Sequence, residues 1–433
     1  MNRNNEFMKY IIPSVLAFAL SGIYTVVDGF FIGNSLGDAG LAAINLAYPI
    51  AALIQALGTG IGLTGAIRFG ILKAQGREKE ERQYFSSTIL LLAVTSVIVT
   101  LVFLILAVPV LRLLGANGDI LRLANEYIVV IALGTVFQMY ATGLMPFIRN
   151  LGGATFAMIA MIAGFVTNTI LDYLFVMVFS WGMAGAAWAT IIGQGVTMFF
   201  TIGYLLRKKP GFKMPLIREL PKLFGSNLKM ALSPFGLTYT HMLTLIPMNR
   251  FLLMYGGEKA VAIYACITYI TAIIYLLLQG VGDGSQPLFS RYYGTSEVER
   301  LRKTRLMAYK TAGVIAILCM VSFFFVRKNV GYLFGASEAV NHNLALILPL
   351  YLASLLFLSI TRVTTSFFQA TEQGAFSYLL VYAEPVLLII ILIVLPQFIG
   401  LNGVWLASPL AQLLTWIIAL SAKRKVDRRV LLT

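Results

Sequence analysis

The chain has 433 residues, of which 59% are hydrophobic and only 12% are charged, and its formal net charge is +15. Soluble proteins carry about 25% charged residues, so this composition excludes a soluble domain and indicates a polytopic membrane protein.

The apolar residues form twelve segments, each close to the roughly 20 residues that a transmembrane helix needs. The segments do not alternate between polar and apolar residues, as β-barrel strands do. We therefore predict an all-α integral membrane protein with twelve transmembrane helices. The first segment is too long for a signal peptide and is predicted to stay uncleaved. The eighth is Gly-rich, which predicts a bend or break. The segments are 11–33, 41–72, 84–111, 127–148, 156–180, 182–206, 230–254, 260–290, 310–326, 344–369, 378–397 and 403–421.

The positive charges are distributed unevenly between the predicted loops. With the N-terminus inside, 25 of the 33 Lys and Arg residues fall in inside segments and five in outside loops. Inside segments of membrane proteins carry such an excess, so we predict that both termini are cytoplasmic and that the chain lies in the plasma (inner) membrane. The basic charge then reflects topology and contact with anionic lipid, and we expect no nucleic-acid partner.

The second half of the chain repeats the first. "GMAGAAWATIIGQ" (182–194) matches "GLNGVWLASPLAQ" (400–412) at an offset of 218 residues, and Pro13 pairs with Pro234. Two six-helix lobes related by pseudo-two-fold symmetry follow from this duplication. The predicted domains are an N-terminal lobe (1–206), a cytoplasmic linker (207–225), a C-terminal lobe (226–421) and a basic cytoplasmic tail (422–433).

The first lobe contains carboxylates at membrane depth. A charge in the hydrocarbon costs at least ~2.5–3.5 kcal/mol, which makes Asp28 a functional candidate. Tyr24 lies one turn before Asp28, and Asn168 lies one turn before Asp172, so each pair shares a helix face. With Thr190, these residues could bind Na⁺ through Asp28, Asp172, Asn168 and Thr190. Alternatively, the two carboxylates could hold a proton, since both cannot stay ionised in a low dielectric. Asp172 could also simply cap a helix end in water.

The acidic pair has no copy in the second lobe. With the repeats aligned, Asn249 stands opposite Asp28 and Ile390 stands opposite Asp172. A coupling site of this design would therefore be asymmetric.

Other polar residues of the second lobe form a tentative substrate-binding set. Asp283 lies among glycines near Gln279 and could bind a cationic substrate or pair with Arg250. Asn249 precedes Arg250, and His241 is a lone histidine that is either a hydrogen-bonded core residue or a relay.

Two further ionisable residues, Glu384 and Arg362, lie within predicted spans and are candidates by the same argument. Glu384 and Arg362 are expected near the inner ends of their helices, where they reach water. Cys266 and Cys319 fall within predicted helices, so we predict neither a disulfide nor a metal site for them. The sequence has no Gly-rich loop ending in Lys-Ser/Thr, so we expect no ATP-binding domain and no enzyme activity.

Five stretches together resemble the multidrug and toxic compound extrusion (MATE) family, over essentially the whole chain. The resemblance implies a V-shaped, two-lobe antiporter that imports H⁺ or Na⁺ and exports small amphipathic, often cationic, compounds by alternating access. No other cofactor is implied, and we expect a monomer. The stretches are "VVDGFFIGNSLGDAGLAA", followed by Pro49, "RNLGGATFAMIAMIAGFVTNTILDYLF", "WGMAGAAWATIIGQ", "GVGDGSQPLFSRYYG" and "FFQATEQGAFS".

The resemblance extends to site residues. The family's N-lobe cation site has Tyr, Asp, Asn, Asp and Thr, and all five types match here, at positions 24, 28, 168, 172 and 190. Another branch uses a Glu in the seventh span and an Asp in the tenth, and neither is present. Asp283 resembles an acidic position in the eighth span of some drug exporters. Arg250 is not part of the family pattern and weakens the prediction of a purely cationic substrate.

Two alternatives stay open at this point. One is a lipid-linked-saccharide flippase of the same superfamily, which commonly has about fourteen spans and a more basic cavity. Twelve spans argue against it, whereas Arg250 favours it. The other is a channel, which would conduct without coupled exchange.

Overall fold

The computed structural model describes residues 3–334 and 337–430, and the secondary structure of this part is helical. The chain divides into two compact units. We call residues 8–239 the N unit and residues 1–7 with 240–433 the C unit. The division at Tyr239 lies within a helix, and the lobe boundaries predicted from the sequence stay a prediction.

The first half of the chain is built from six long helices and the start of a seventh. A π-helical segment, Tyr173–Val178, continues the fifth helix without a break. The helices are α1 (Arg3–Ala74), α2 (Glu78–Leu113), α3 (Gly118–Leu133), α4 (Thr135–Asn150), α5 (Ala154–Asp172), α6 (Gly182–Lys208) and α7 (Leu220–Gly294).

The second half continues from α7. Short 3₁₀ turns precede α7 (Ile217–Glu219) and α9 (Val330–Phe334). The predicted basic tail starts inside the last helix, and its residues 431–433 lie outside the described part. The helices are α8 (Val298–Val326), α9 (Glu338–Ala370), α10 (Gly374–Val394), α11 (Pro396–Ile399) and α12 (Leu401–Val430).

Helix α1 reverses direction at Gly37, which has a non-helical backbone (φ 59°, ψ −152°). Phe18, before this glycine, contacts the Arg149 guanidinium at 5.6 Å, whereas Gly62, after it, packs against Gly143. Both partners belong to α4, which is about 24 Å long, yet 44 residues of straight helix would span about 66 Å. Helix α1 is therefore a helical hairpin, and glycine provides the positive φ of its turn.

Helix α7 folds back in the same way at Gly257 (φ 67°, ψ −167°). The rings of His241 and Tyr275 lie 6.1 Å apart between centroids. A straight helix would separate these residues by about 51 Å. The glycines of the predicted eighth segment introduce no break, because α7 stays helical from there to Gly294.

Left-handed backbone positions recur between the halves at offsets of 218 to 220 residues, which supports the predicted duplication. In two of the four pairs, the second half has another residue where the first half has glycine. The pairs are Gly37 with Gly257, Gly76 with Ser296, Gly152 with Glu372, and Gly182 with Gly400.

The predicted span 127–148 is bent. Its two parts, α3 and α4, meet at an angle of 59°. Gly134 lies at this bend, where a Cβ atom would be 2.2 Å from the Ile191 side chain. By length and composition, the described residues contain nine candidate spans, or ten if this pair is one span.

Small residues bring helices of the N unit into close contact, as is common in membrane proteins. A Cβ on Gly164 of α5 would lie 2.8 Å from the carbonyl oxygen of Gly193 in α6. A Cβ on Gly193 would lie 2.9 Å from the Cβ of Asn168. The α5–α6 contact therefore fixes the position of Asn168 and, one turn later, of Asp172.

Candidate ion-coupling and substrate sites

Two carboxylates meet in the N unit. Asp28 lies nine residues before the turn of α1, about 14 Å along the helix, and Asp172 is the last residue of α5. Their side chains lie within hydrogen-bonding reach of each other. Oδ1 of Asp28 and both carboxylate oxygens of Asp172 are buried and receive no hydrogen bond from the described residues. Asp172 is fully buried and the helix continues past it, so it does not cap a helix end in water.

The other three predicted residues of this site surround the pair. The Asn168 side chain is next to Asp172 without meeting hydrogen-bond geometry, and its polar atoms are buried. Thr190 donates to the Ala186 carbonyl at 3.0 Å and lies within hydrogen-bonding reach of Tyr24. The Tyr24 ring stacks on another aromatic ring at 5.1 Å. The structure thus brings all five predicted residues together.

A sixth side chain, Tyr127 of α3, was missed by the sequence analysis. It is 5% exposed, lies within hydrogen-bonding reach of Thr190, and is within electrostatic range of Asp28 and Asp172. Tyr127 is the first residue of a predicted apolar segment, and nothing in the sequence around it indicates a binding role. Only the packing of α3 against α6 brings it to the candidate site.

The π-helical segment directly after Asp172 connects the end of α5 to α1, next to the acidic pair. Its Val176 carbonyl accepts a hydrogen bond from Ser35 at 3.2 Å, which ties the end of α5 to the turn of α1. π-helical turns occur frequently at functional sites, because they redirect side chains without ending the helix.

This group of residues suits a cation. In the described part of the chain, none of the side chains acting on Asp28 and Asp172 is basic. Two ionised carboxylates would repel each other strongly here, so the group needs a proton or a metal cation. The buried oxygens without partners, including Oδ1 of Asn168, fit either one.

The tentative set in the C unit is only partly brought together. Asp283 is 8% exposed, with Gln279 one turn before it, and it lies within electrostatic range of Arg362. Arg250 is exposed, and Asn249 beside it is partly buried. Arg250 lies seven residues before Gly257 and Asp283 lies 26 after, which places them about 28 Å apart along the hairpin. The structure therefore does not pair them.

The expectation that Glu384 lies near the inner end of its helix is wrong. Helix α10 begins at Gly374, four residues earlier than predicted, so Glu384 lies ten residues from either end. Its Oε1 accepts hydrogen bonds from the Tyr275 hydroxyl at 3.4 Å and from Gln412 Nε2 at 3.3 Å. The guanidinium of Arg362 lies 5.4 Å from the centre of the Tyr275 ring. These residues form a polar cluster inside the C unit.

The described residues contain nine long apolar helices, and the acidic pair with its buried oxygens lies within two of them, as expected for a multi-span membrane transport protein. The MatE family model matches residues 13–174 and 240–395. The chain therefore belongs to the MATE family, whose members are ion-coupled antiporters and not enzymes.

The chain is similar to curated members of the family. It is 29% identical over 402 residues to multidrug export protein MepA of Staphylococcus saprophyticus. The aligned region covers 92% of this chain and 88% of that protein. It is 27% identical over 401 residues to MepA of Staphylococcus aureus, with the same coverage.

Solved structures show the same fold. An outward-facing MATE multidrug resistance transporter of the MOP superfamily superposes with a TM-score of 0.90, at 23% identity, over 99% of this chain and 97% of that chain. A MOP superfamily transporter from Pyrococcus furiosus, described as having a binding pocket of reversed polarity, superposes with a TM-score of 0.91 at 22% identity. The superposition covers 99% of this chain and 96% of that chain.

Proposed function

We propose that this chain is a secondary antiporter that couples the entry of H⁺ or Na⁺ to the export of amphipathic, mainly cationic, drugs or toxic compounds. The observation that carries the coupling is the buried Asp28–Asp172 pair, whose charge only a proton or a cation can balance. The similarity to multidrug export proteins supports the class of substrate.

The acidic pair acts as the ion-coupling site in this proposal. Asp28 and Asp172 bind the ion, Asn168 and Thr190 add oxygen ligands if the ion is Na⁺, and Tyr24 closes the group on one side. Binding removes the buried negative charge, which shifts the equilibrium between the states open to either side of the membrane. The gradient supplies about 2.3 kcal/mol per charge per 100 mV.

The topology follows from the two hairpins. If α1 and α7 each cross twice, the nine long helices of the described residues account for eleven spans, and the bent pair adds the twelfth. An even number of spans puts both termini on the same side, and the excess of Lys and Arg in the predicted inside segments assigns that side to the cytoplasm of the plasma membrane. Because one chain carries both repeats, a monomer is sufficient for transport.

In the C unit, we assign substrate contact to Asp283 and Gln279, and we keep His241, whose ring lies near that of Tyr275, as a third candidate. Asn249 and Arg250 remain weaker candidates, because they lie close to the turn of α7. Arg250 is exposed and about 28 Å from Asp283 along the hairpin, so it no longer supports the flippase alternative.

The test is flux in proteoliposomes with an imposed H⁺ or Na⁺ gradient. Asp28→Asn and Asp172→Asn should lower gradient-driven drug efflux to the level of empty vesicles while the protein remains folded. Asp38→Asn is the matched control, because Asp38 lies on the same helix and is exposed. The gradient that drives efflux identifies the ion.

Full gradient-driven efflux by Asp28→Asn would refute the coupling role. Ion flux that needs no substrate and responds to no counter-gradient would indicate a channel.

A further inference from the structure

The chain between α6 and α7 carries apolar and basic side chains together on its surface. We call residues 207–222, which run from the end of α6 to the start of α7, the connecting segment; they belong to the N unit. Residues 209–216 form neither helix nor strand, and the 3₁₀ turn Ile217–Glu219 follows them. The proposed ion-coupling and substrate sites use none of these residues.

Four large apolar side chains of the connecting segment are exposed within residues 212–217. The most exposed of them is Ile217, with 86% of its surface accessible. Contiguous exposed apolar side chains mark sites of interaction, whereas single ones need no explanation. The four are Phe212, Met214, Leu216 and Ile217.

Hydrogen bonds and packing hold the connecting segment against the rest of the N unit. Pro215, in its middle, is buried. The backbone N–H of Lys213 donates to the Ser86 hydroxyl at 2.9 Å, and Gln83 Nε2 donates to Glu219 Oε2 at 3.2 Å. Both partners lie near the start of α2. The exposed apolar side chains therefore belong to a docked segment and lie away from its contact with α2.

The same surface is strongly basic. The connecting segment contains six Lys and Arg residues and one acidic residue, Glu219. All six basic side chains are exposed, whereas Glu219 is half-buried and accepts the hydrogen bond from Gln83. An anionic surface in contact with the segment would therefore meet many positive charges and little negative charge. The six are Arg207, Lys208, Lys209, Lys213, Arg218 and Lys222.

Exposed apolar side chains of the two adjoining helices lead up to this segment. Helix α6 exposes Phe199 and, two turns later, Leu206, which directly precedes it. Helix α7 exposes Leu228 and Leu232 one turn apart. Such side chains on a membrane-spanning helix face lipid, because lipid tails are as apolar as leucine. The connecting segment therefore joins two lipid-facing surfaces and is expected at the edge of the hydrocarbon.

We propose that the connecting segment binds the surface of an anionic phospholipid membrane. Its four apolar side chains enter the boundary between headgroups and acyl chains, and its basic side chains contact the headgroup phosphates, as in other interfacial anchors. A free anion would meet only the charges, whereas a membrane also covers the apolar side chains. The contact with anionic lipid that the sequence predicts in general is thereby assigned to one surface.

A spin label at position 217 tests the proposal in proteoliposomes of the full-length protein. The label is attached to Ile217→Cys after Cys266→Ala and Cys319→Ala have removed the native thiols. In vesicles of phosphatidylcholine mixed with phosphatidylglycerol, we expect more collisions with oxygen and fewer with a water-soluble nickel chelate than in phosphatidylcholine alone. A label on Lys79→Cys, an exposed position near the start of α2, should stay accessible to the chelate in both.

Removal of a single charge tests the electrostatic part. Lys213→Gln keeps the backbone hydrogen bond to Ser86 and should lower the ratio of membrane-bound to aqueous label about fivefold, the contribution of one basic residue near an anionic surface. Lys79→Gln is the matched control and should leave the ratio unchanged. Added salt should act in the same direction as Lys213→Gln, because it screens exposed charges.

Equal depth of the label at position 217 in the two kinds of vesicle overturns the proposal, and so does an equal effect of Lys213→Gln and Lys79→Gln. A shift caused by soluble glycerol phosphate in phosphatidylcholine vesicles would identify a free phosphate, and not lipid, as the ligand. A label that leaves water only as the density of protein in the vesicles rises would indicate a second copy of the chain. None of these outcomes depends on ion coupling, so the proposed antiport is tested separately.

Discussion

In the N unit, Asp28 and Asp172 face each other with no basic side chain acting on them in the described residues, whereas in the C unit Glu384 and Asp283 share one arginine. The first arrangement has to take up a proton or cation to be neutral, and exchange of that ion can change its conformation. The second has a basic side chain within electrostatic range of both carboxylates, so part of its charge is balanced within the protein. Membrane depth alone therefore does not determine whether a carboxylate needs an ion. The charged side chains within range of it determine this.

The largest expected effect tests the balance in the C unit. Arg362→Gln removes the cation that lies within electrostatic range of Glu384 and Asp283 and should destabilise the protein by about 3 kcal/mol, the lower end for a broken buried pair. Arg250→Gln, at an exposed site, should change stability by less than about 0.5 kcal/mol. Thermal unfolding in detergent measures both.

Adding Glu384→Gln to Arg362→Gln should recover part of the lost stability, because it removes one of the unbalanced charges. In the N unit the opposite effect on stability is expected. Asp172→Asn removes the repulsion between Asp172 and Asp28, so it should not lower the unfolding temperature. Equal losses for the two arginine variants, or no recovery in the double variant, would show that charge balance does not hold this cluster together.

An intermediate effect tests how the N unit positions its acidic pair. Gly193→Ala puts a Cβ atom 2.9 Å from the Asn168 Cβ, and such overpacking costs about 1–3 kcal/mol. We expect reduced gradient-driven efflux together with this loss of stability. Gly203→Ala in the same helix has nothing within 4 Å of its new Cβ and should be neutral or stabilising by up to about 1 kcal/mol. Normal transport by Gly193→Ala would mean that the α5–α6 contact is not needed to place Asn168.

The smallest effect concerns the hydroxyl of Tyr275. Tyr275→Phe removes the hydrogen bond to Glu384 and the one from Gln412, which should cost about 1 kcal/mol. In the Glu384→Gln background the same change should cost less, since one partner has already been altered. Tyr269→Phe, on an exposed ring, is the control. Additive losses in thermal unfolding would argue that Tyr275 and Glu384 do not act together.

The sequence predicted much of the N-unit site because its residues follow helical spacing. Tyr24 with Asp28 and Asn168 with Asp172 are each one turn apart, and membrane depth marks the carboxylates as unusual. Thr190 and the two pairs could be combined only through the family resemblance, whose residue types all match. Tyr127 could not be found this way, because its role depends on the packing of α3.

The C-unit cluster was missed for a related reason. Tyr275, Glu384 and Gln412 lie on three helices, and the contacts between them span 28 to 137 residues. No local pattern connects them. The error over Glu384 came from a helix start misplaced by four residues, since Ala375 and Phe376 were left outside an apolar segment that the structure extends to Gly374.

The recurring left-handed turns show how far packing can override a local preference. Gly76 and Gly152 have the counterparts Ser296 and Glu372, which adopt a positive φ although L-residues with side chains pay about 1–2 kcal/mol for it. The same turn therefore forms with and without glycine, and the helices on either side of it must supply the difference in free energy. A comparison of backbone conformations thus detects a correspondence between the halves that a comparison of residue types misses at these positions.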